Sequence, residues 1–413
     1  MTYRKPELLI PASSLEVLRT AVMFGADAVY IGGEAFGLRA KAKNFSSEEM
    51  AEGVAFAHAH GVKVYVTANI LAHNYDLDGA RKYFAELRDM KPEQPDALII
   101  SDPGMFMIAK EVWPQVEVHI STQANNTNYE TYLFWWKLGA KRVVSARELS
   151  LSEIQGIREK IPAEMEIESF VHGAMCISYS GRCLLSSYLT GRDGNRGACA
   201  QACRWEYTLH EKNRPGESYD IEEDARGTYV MNSKDLCLIA RIPQLVKAGI
   251  CSLKIEGRMK SVHYVATVAS VYRKAIDAYM KDQEGYKVLP EWIEELNKVS
   301  HRPYTEGFAF GTPGADAQVY TTSSYEQTHD FVGIVLSYDK ANKKALIEQR
   351  NNVKNGEKLE LLMTDGTLMP LELKNMQDEE GTPIECAPHA RQHFWIDCAA
   401  ELLPDSLLRR KII

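Results

Sequence analysis

The first 280 residues alternate short apolar runs with longer stretches in which apolar residues recur every three or four positions. Residues 8–10 and 28–31 are typical of buried strands, and residues 14–24 between them form an amphipathic helical pattern that stops at Gly25. The pattern predicts consecutive strand–helix units. Predicted strands cover residues 8–10, 28–31, 62–66, 97–100, 117–120, 142–145, 165–171 and 251–255, and predicted helices cover 14–24, 46–58, 77–88, 105–112, 129–137, 152–160, 233–248 and 263–280.

Eight strand–helix units predict an α/β fold, a (β/α)8 TIM-like barrel over residues 1–283. A helix end, a glycine and a strand start recur at Gly25, Gly139 and Gly249, as repeated units should show. A doubly wound open sheet is the alternative. In a barrel we expect the active face at the carboxyl ends of the strands.

Residues 172–228 interrupt this alternation and are too long for an ordinary loop, so we expect a functional cysteine-rich insertion at the rim. Residues 284–324 contain a short amphipathic helix, 290–299, and a predicted linker. Residues 325–413 show short alternating segments separated by turn signals, which predict a small all-β barrel domain. Its predicted strands are 331–336, 344–348, 357–363, 367–373 and 393–397.

The composition, 45% apolar and 25% charged over 413 residues, is that of a globular protein, and no apolar run is long enough to span a bilayer. The apolar run that follows Glu7 is only three residues long before Pro11, so we expect no secretory signal, a cytoplasmic location and no membrane partner. A net charge of −8 argues against a general nucleic-acid coat but leaves room for a local basic groove. Candidate basic positions are Arg39, Lys41, Lys43, Arg182, Arg192, Arg196, Arg204, Arg409, Arg410 and Lys411.

Four of the eight cysteines, Cys176, Cys183, Cys199 and Cys203, fall within 28 residues of one another. In a reducing compartment such clustering favours a metal centre over disulfides. The spacing, with six, fifteen and three intervening residues, fits an iron–sulfur cluster better than a zinc ribbon, which prefers two tight pairs. Zinc and four buried free thiols remain the alternatives.

Polar residues follow the predicted barrel strands. Arg147 and Arg258 suit a dicarboxylate, and Glu256 is a candidate acid or base, although Glu256 and Arg258 can also pair structurally. His172 is either catalytic or a hydrogen-bonded rim histidine. Asn69, Asp102, Gln123 and Asn125 are further candidates, although Gln123 and Asn125 can also serve to close a loop. Arg182 and Arg204 flank two of the cysteines. They can offset the charge of a bound group, bind an anionic substrate or simply lie on the surface.

The segment Glu168-x-Phe-x2-Gly-Ala-Met-Cys176-x4-Gly-x-Cys183-x-Leu-Ser186 resembles the signature of peptidase family U32, the collagenase-like peptidases. Residues 9–12, 25–32 and 253–258 are similar to the family too. The resemblance implies either a protease or an iron–sulfur hydroxylase of tRNA uridine (with prephenate), of ribosomal RNA cytidine or of a ubiquinone precursor. Residues 195–207 resemble the motif of the tRNA branch. By that match a 4Fe–4S cluster is held by Cys176, Cys183, Cys199 and Cys203, with Cys237 as an alternative ligand.

The preferred hypothesis is tRNA wobble-uridine hydroxylation to 5-hydroxyuridine, using prephenate. The barrel would hold the small molecule, the C-terminal domain would grip tRNA, and a family paralogue or a second copy of the chain is a candidate partner. A protease is the first alternative, with Cys176 as nucleophile and His172 as base, although the sequence contains neither His-Glu-x-x-His nor Gly-x-Ser-x-Gly. A zinc-stabilised RNA-binding protein is the second.

Overall fold

The computed structural model describes residues 3–38, 44–176, 178–205, 233–313 and 325–412, together with the backbone of four two-residue strands between 209 and 228. The basic segment 39–43, the end of the tRNA-branch motif at 206–207 and residues 314–324 of the predicted linker lie outside the described residues. The labelled strands of the larger domain are β1 (Glu7–Pro11), β2 (Ala28–Ile31), β3 (Lys63–Ala68), β4 (Ala97–Ile100), β5 (Glu117–Ile120), β6 (Arg142–Val144), β7 (Glu166–Ala174), β8 (Asp235–Cys237) and β9 (Ser252–Ile255).

Eight parallel strands close into a barrel. Strands β1 to β7 pair in chain order, and β9 pairs with both β1 and β7. The predicted (β/α)8 barrel is therefore confirmed, and the doubly wound alternative is wrong. The helices are α1 (Leu15–Met23), α2 (Ser47–Ala59), α3 (Leu77–Arg88), α4 (Pro103–Val112), α5 (Tyr129–Lys137), α6 (Leu151–Arg158), α7 (Leu185–Thr190), α8 (Ile242–Lys247), α9 (Val262–Lys281) and α10 (Pro290–Leu296).

Polar caps start several of these helices at the positions that the sequence marks. The Ser14 side chain accepts a hydrogen bond from the backbone of Val17 at the start of α1. Ser46 and Glu49 form a reciprocal capping box at the start of α2. Each helix then packs its apolar stripe on the outer face of the strands, which makes one continuous core between the two layers.

The inside of the barrel is filled by alternate strand residues. Its lower part holds apolar and aromatic side chains such as Leu9, Tyr30, Tyr65 and Ile99. Charged residues share this space, with Arg142 in ion pairs to Glu7, Glu166 and Glu168. The same alternation continues upward to the carboxyl ends of the strands, where the inward positions become polar.

The insertion leaves from β7 and returns as β8, which pairs antiparallel with the end of β7: Asp235 lies opposite Ala174 and Cys237 opposite His172. The predicted helix 233–248 is therefore wrong in its first half, since α8 begins only at Ile242. A two-residue strand, Tyr304–Thr305, extends the sheet beyond β8, so this part of the predicted linker lies against the barrel.

The C-terminal domain is an antiparallel sheet around its own apolar core. Its order is β13-β12-β16-β10-β11-β15-β14. The two edge strands are separated in the chain only by Leu373, so the sheet curls until its edges meet. The strands are β10 (His329–Asp339), β11 (Lys344–Gln349), β12 (Lys358–Leu362), β13 (Leu368–Glu372), β14 (Lys374–Gln377), β15 (His393–Asp397) and β16 (Leu407–Lys411).

Buried ion pairs join the two domains. Arg409 of β16 is fully buried and pairs with Glu295 of α10 and with Glu360 of β12. Lys298 bridges the same two carboxylates. Its place in the basic tail had indicated that Arg409 is a surface position. Its burial shows that this prediction is wrong. Within the described part of the chain, no helix combines the length and the apolarity that crossing a membrane requires.

Candidate active site at the barrel mouth

A cavity of about 140 Å³ opens at the carboxyl ends of the barrel strands. Its walls come from the barrel on one side and from the insertion on the other. The barrel supplies the predicted residues Asn69, Gln123, Arg147, Glu256 and Arg258, and the insertion supplies all four clustered cysteines. The structure thus brings nine of the fourteen predicted site residues into one cavity.

The barrel wall of the cavity is ordered by hydrogen bonds. Asn69 accepts from the Leu38 backbone at 3.1 Å and donates to Ser121 Oγ at 3.2 Å. The Arg258 guanidinium is buried and donates to the Leu38 carbonyl (2.9 Å), to Thr67 Oγ1 (3.1 Å) and to Asn44 (2.9 Å). Arg258 therefore fixes the loop after β2 as well as lining the cavity.

Arg147 connects the two walls. Its guanidinium lies 3.4 Å from the Glu256 carboxylate and 3.7 Å from Cys176 Sγ, and it stacks 4.1 Å from the centroid of the Phe170 ring. A cation held between a carboxylate, a sulfur and an aromatic face has a fixed direction. Arg147 is thus placed to act on a ligand that lies between Glu256 and Cys176.

Lys254 is a lining residue that the sequence analysis missed. Its Nζ lies 2.6 Å from the buried Glu168 and 4.5 Å from the centroid of the Tyr30 ring. The available signal was the period-two alternation from Glu256 back through Lys254 to Ser252, which puts all three side chains on the inner face of β9. With Arg147 and Arg258, Lys254 gives the cavity three cations against the single carboxylate of Glu256, a balance that favours an anionic ligand.

The insertion presses closely against the barrel. At Gly181, whose φ is +72°, a Cβ atom would come within 2.3 Å of the Gln123 carbonyl, so only glycine allows this approach. Arg196 donates to the Leu71 carbonyl at 2.7 Å and pairs with Asp76 at 2.8 Å. These contacts hold the cysteine segment over the cavity.

Inside the insertion, short hydrogen bonds shape the backbone around the cysteines. Ser186 donates to the Arg192 carbonyl at 2.7 Å and accepts from the backbone of Ala200 at 2.9 Å. Asn195 donates to the Cys183 carbonyl at 3.0 Å. The two cysteine pairs are thereby linked through α7 and the turns that follow it.

The four sulfurs interact with one another. Burial raises the pKa of the Cys203 thiol; the Arg204 guanidinium opposes this shift, and the charges of Cys176, Cys199 and Cys183 add to it. Cys176 and Cys199 are exposed, and Cys183 and Cys203 are half-buried. Among the described residues, no three His, Cys, Asp or Glu side chains converge closely enough to hold one metal ion. The four sulfurs are donors of the type that a thiolate-bound group needs and they line one cavity, but in the described structure no three of them converge on one point.

Cys237 lies elsewhere. It is buried on β8, where burial raises the pKa of its thiol to about 11, and it lines a separate depression beside Tyr304. Among the described residues the structure thus groups the local quartet and leaves Cys237 apart.

His172 is also outside the cavity. Its ring is buried among Tyr264, Tyr272 and Tyr304, with Nδ1 3.4 Å from the Tyr272 hydroxyl. Burial lowers the pKa of His172 to about 3, and the nearby charges of His301 and Lys260 lower it further. The described contacts include none between His172 and Cys176, so the nucleophile–base pair considered for a protease is not assembled.

The remaining predicted residues surround the cavity without lining it. Asn125 adopts a left-handed conformation, φ 54°, at the end of the turn after β5. Arg204 donates to Gln201 at 2.7 Å and to the Tyr325 hydroxyl at 3.3 Å. Arg182 is exposed. Asp102, the further candidate, caps α4 by accepting from the Met105 backbone.

Comparison with known proteins decides the family. The model of peptidase family U32 matches residues 13–319, and the model of the U32 C-terminal domain matches residues 327–409. The chain belongs to peptidase family U32.

Several curated relatives carry names that refer to RNA, whereas one from Methanocaldococcus jannaschii, 43% identical over 74% of this chain and 73% of that protein, is named an uncharacterized protease. The chain is 45% identical to tRNA hydroxylation protein P1 of Bacillus subtilis, over 98% of this chain and 95% of that protein. It is 40% identical to tRNA hydroxylation protein P of Escherichia coli, over 96% and 95%. It is 39% identical to the 23S rRNA 5-hydroxycytidine C2501 synthase of Escherichia coli, over 75% of this chain and 46% of that protein.

Proposed function

We propose that this U32 protein is a tRNA-modifying enzyme that converts the wobble uridine to 5-hydroxyuridine, with prephenate as co-substrate and a 4Fe–4S cluster held by Cys176, Cys183, Cys199 and Cys203. The names of the relatives support tRNA hydroxylation. One observation of the structure carries the rest of the proposal: the four cysteines and the cationic barrel residues face the same cavity.

The cavity suits a small dianion. Arg147 and Arg258 are the proposed carboxylate partners, and Lys254 supplies a third positive charge at the floor. A cluster bound to the cysteines would supply one-electron redox chemistry at the cavity wall. Arg147, which contacts both Glu256 and Cys176, would orient the co-substrate beside that wall, and Glu256 would hold or accept a proton.

The cofactor is tested by metal and sulfide analysis of protein purified without oxygen. We expect iron and sulfide in the wild type and their loss in Cys176→Ser and Cys203→Ser. Cys386→Ser is the matched control, because Cys386 lies on the C-terminal domain, and Cys237→Ser tests the alternative ligand. Zinc without iron would reject the cluster and favour the zinc-stabilised RNA-binding alternative.

The reaction is tested by mass spectrometry of tRNA nucleosides from a strain that lacks this gene and its paralogues. We expect 5-hydroxyuridine and its derivatives to be absent, restored by the wild type, and not restored by Arg147→Met or Glu256→Gln. A strain that cannot make prephenate should show the same loss. Unchanged modified uridines in the deletion strain would refute the proposal.

A further inference from the structure

We propose that the exposed arginine and aromatic side chains around the cavity mouth bind the unpaired loop of an RNA, so that one base can enter the cavity. This inference rests on the proposed function and names the surface that recognises the substrate. The surface, here called the insertion rim, consists of Tyr179, Arg182, Tyr188, Arg204, Trp205 and Tyr325.

The rim exposes aromatic rings to solvent. Tyr188 on α7 is 86% exposed and Tyr179 is 56% exposed, and Trp205 and Tyr325 are also open to solvent. Tyr179 lines the cavity itself, and the Tyr325 hydroxyl accepts a hydrogen bond from Arg204, next to Trp205. Single exposed aromatic residues are ordinary, whereas several around one cavity mouth indicate a binding surface.

The charge of this part of the chain is opposite to that of the whole. Residues 175–205 contain four arginines, Asp193 as the single acidic residue, and no lysine, in a chain of net charge −8. By contrast, residues 325–413 contain 15 acidic and 11 basic residues. A phosphate backbone is therefore attracted to the segment 175–205 and not to the C-terminal domain, which had been the expected RNA-binding part. The rest of the insertion, residues 206–228, contains seven acidic and three basic residues, so the attraction is confined to this segment.

Three cations converge on Tyr325. Arg204 and Arg302 each donate to its hydroxyl at 3.3 Å, and Lys260 Nζ lies 4.4 Å from its ring centroid. Burial alone would raise the pKa of Tyr325, but the hydrogen bond from Arg302 and the three positive charges lower it. Arg302 is buried, and Lys260 and Arg204 are half-buried, so together they place positive charge behind an exposed ring, which would attract a phosphate next to a stacked base.

The geometry favours an unpaired RNA segment over a duplex. Exposed rings stack on bases only when those bases are not already stacked in a helix. Chemistry on a ring atom also requires the base to leave its stack, which an unpaired base does at lower cost than a paired one.

The test measures binding of the full-length protein to a fluorescent RNA hairpin with an unpaired loop, and to a blunt RNA duplex of the same stem. We expect Tyr188→Ala and Trp205→Ala each to weaken hairpin binding about tenfold or more, by loss of stacking. Arg182→Ala should weaken binding and lower the salt dependence by about one phosphate contact. Duplex binding should be weak in every variant.

Tyr129→Ala and Arg81→Ala are the matched controls, because these residues are exposed on barrel helices α5 and α3. Thermal unfolding of each variant shows whether it has kept its fold, and Arg182→Lys should retain most of the affinity. Hairpin binding that is equal in the rim variants and the wild type, or equal for hairpin and duplex, would overturn the inference.

Nucleoside analysis separates this inference from the proposed function. If hairpin binding depends on the rim but the protein hydroxylates no tRNA, the proposed function is rejected and the inference about the rim is retained. Rim variants that bind and modify tRNA normally would reject the rim alone. Rim variants that bind RNA normally but fail to modify tRNA would assign the rim to a protein partner and overturn the RNA inference.

Discussion

Arg142 lies between two glutamates inside the barrel. Its Nη1 atom is 2.6 Å from Glu7 and 3.1 Å from Glu168, and Lys254 approaches Glu168 from the other side at 2.6 Å. Charges in such a dry interior persist only when each is matched. The cavity floor, where Lys254 emerges, therefore depends on a network that reaches down to the amino end of β1.

Arg142→Met tests this network. The change leaves Glu7 and Glu168 buried with fewer partners, so we expect the free energy of unfolding to fall by about 3–5 kcal/mol, measured by urea denaturation. Arg81→Met breaks a solvent-exposed pair with Glu111 and should leave the free energy of unfolding nearly unchanged. Equal effects of the two variants would show that the internal pairs contribute little.

The pH dependence of stability follows from Glu7. Burial alone would raise the pKa of this carboxyl, but the Arg142 charge and hydrogen bonds from Arg142, Tyr65 and Ser252 lower it from 4.5 to about 2. A lowered pKa means that the stabilisation is complete above about pH 4.5 and is lost as the pH falls towards 2.

Glu7→Gln removes this titration. We expect the difference in unfolding free energy between wild type and Glu7→Gln to shrink by about 3 kcal/mol between pH 5 and pH 2. Urea denaturation at several pH values measures it, and Glu168, which is present in both proteins, cancels. A difference that stays constant across this range would contradict the assigned cause.

At the scale of single residues, the sequence predicted the site unevenly. The cysteines and the polar residues at strand ends could be predicted as site residues, because the carboxyl ends of all the barrel strands meet at one mouth. His172 could not be placed, because the β7–β9 ladder skips a residue: Lys254 faces Phe170, and Ile255 faces His172. This irregularity turns His172 out towards the aromatic residues of α9, and no local pattern reveals it.

At the scale of elements, the end of β7 is bent by Gly173. Its φ of +104° disfavours other residues, and a Cβ atom there would lie 2.5 Å from the Glu256 carbonyl. The strand therefore carries the start of the insertion past Glu256 only because residue 173 has no side chain.

Gly173→Ala should displace Glu256. We expect a loss of stability of at least about 1–2 kcal/mol, from strain and the clash, together with a loss of tRNA modification. Gly156→Ala on α6 meets no neighbouring atom within 4 Å and should instead stabilise the protein by about 0.5–1 kcal/mol. Thermal denaturation and nucleoside analysis of both variants provide the comparison, and normal activity in Gly173→Ala would refute this role.

Strand β8 could not be predicted from the local sequence pattern. Residues 235–237 continue a helical pattern, but they pair antiparallel with the end of β7, more than 60 residues earlier. The barrel strands, by contrast, are apolar runs bounded by glycine, so their positions follow from local sequence. A long-range pairing overrides propensity, as the β-sheet environment generally does.

At the scale of the whole molecule, Arg409 lies in the interface between the domains. This interface also contains Ile334, Leu362 and Leu407 of the C-terminal domain, packed into the core of the larger domain. The Arg409 guanidinium is fully buried, donates to Thr267 of α9 at 3.2 Å and pairs with carboxylates from both domains. The C-terminal domain is thus attached through a charged contact that neither domain satisfies alone, and the sequence analysis had interpreted this tail as a surface basic patch.

Arg409→Met should uncouple the domains. We expect the single calorimetric transition of the wild type to separate into two, with a loss of about 3–5 kcal/mol, because Glu295 and Glu360 lose a buried partner. Arg410→Met is the control: Arg410 pairs with Asp330 and Glu357 within the C-terminal domain and is partly exposed. One unchanged transition in Arg409→Met would show that the domains are joined mainly by apolar packing.

The insertion leaves from the end of β7 and returns at the start of β8, where Ala174 and Asp235 face each other across the β7–β8 ladder. Its two stems therefore stay together whatever lies between them, and the cost of closing a longer loop rises only slowly with its length. The insertion can therefore change in length or in sequence while the barrel beneath it keeps its shape. A scaffold of this kind can change what its cavity mouth contacts by exchanging one segment.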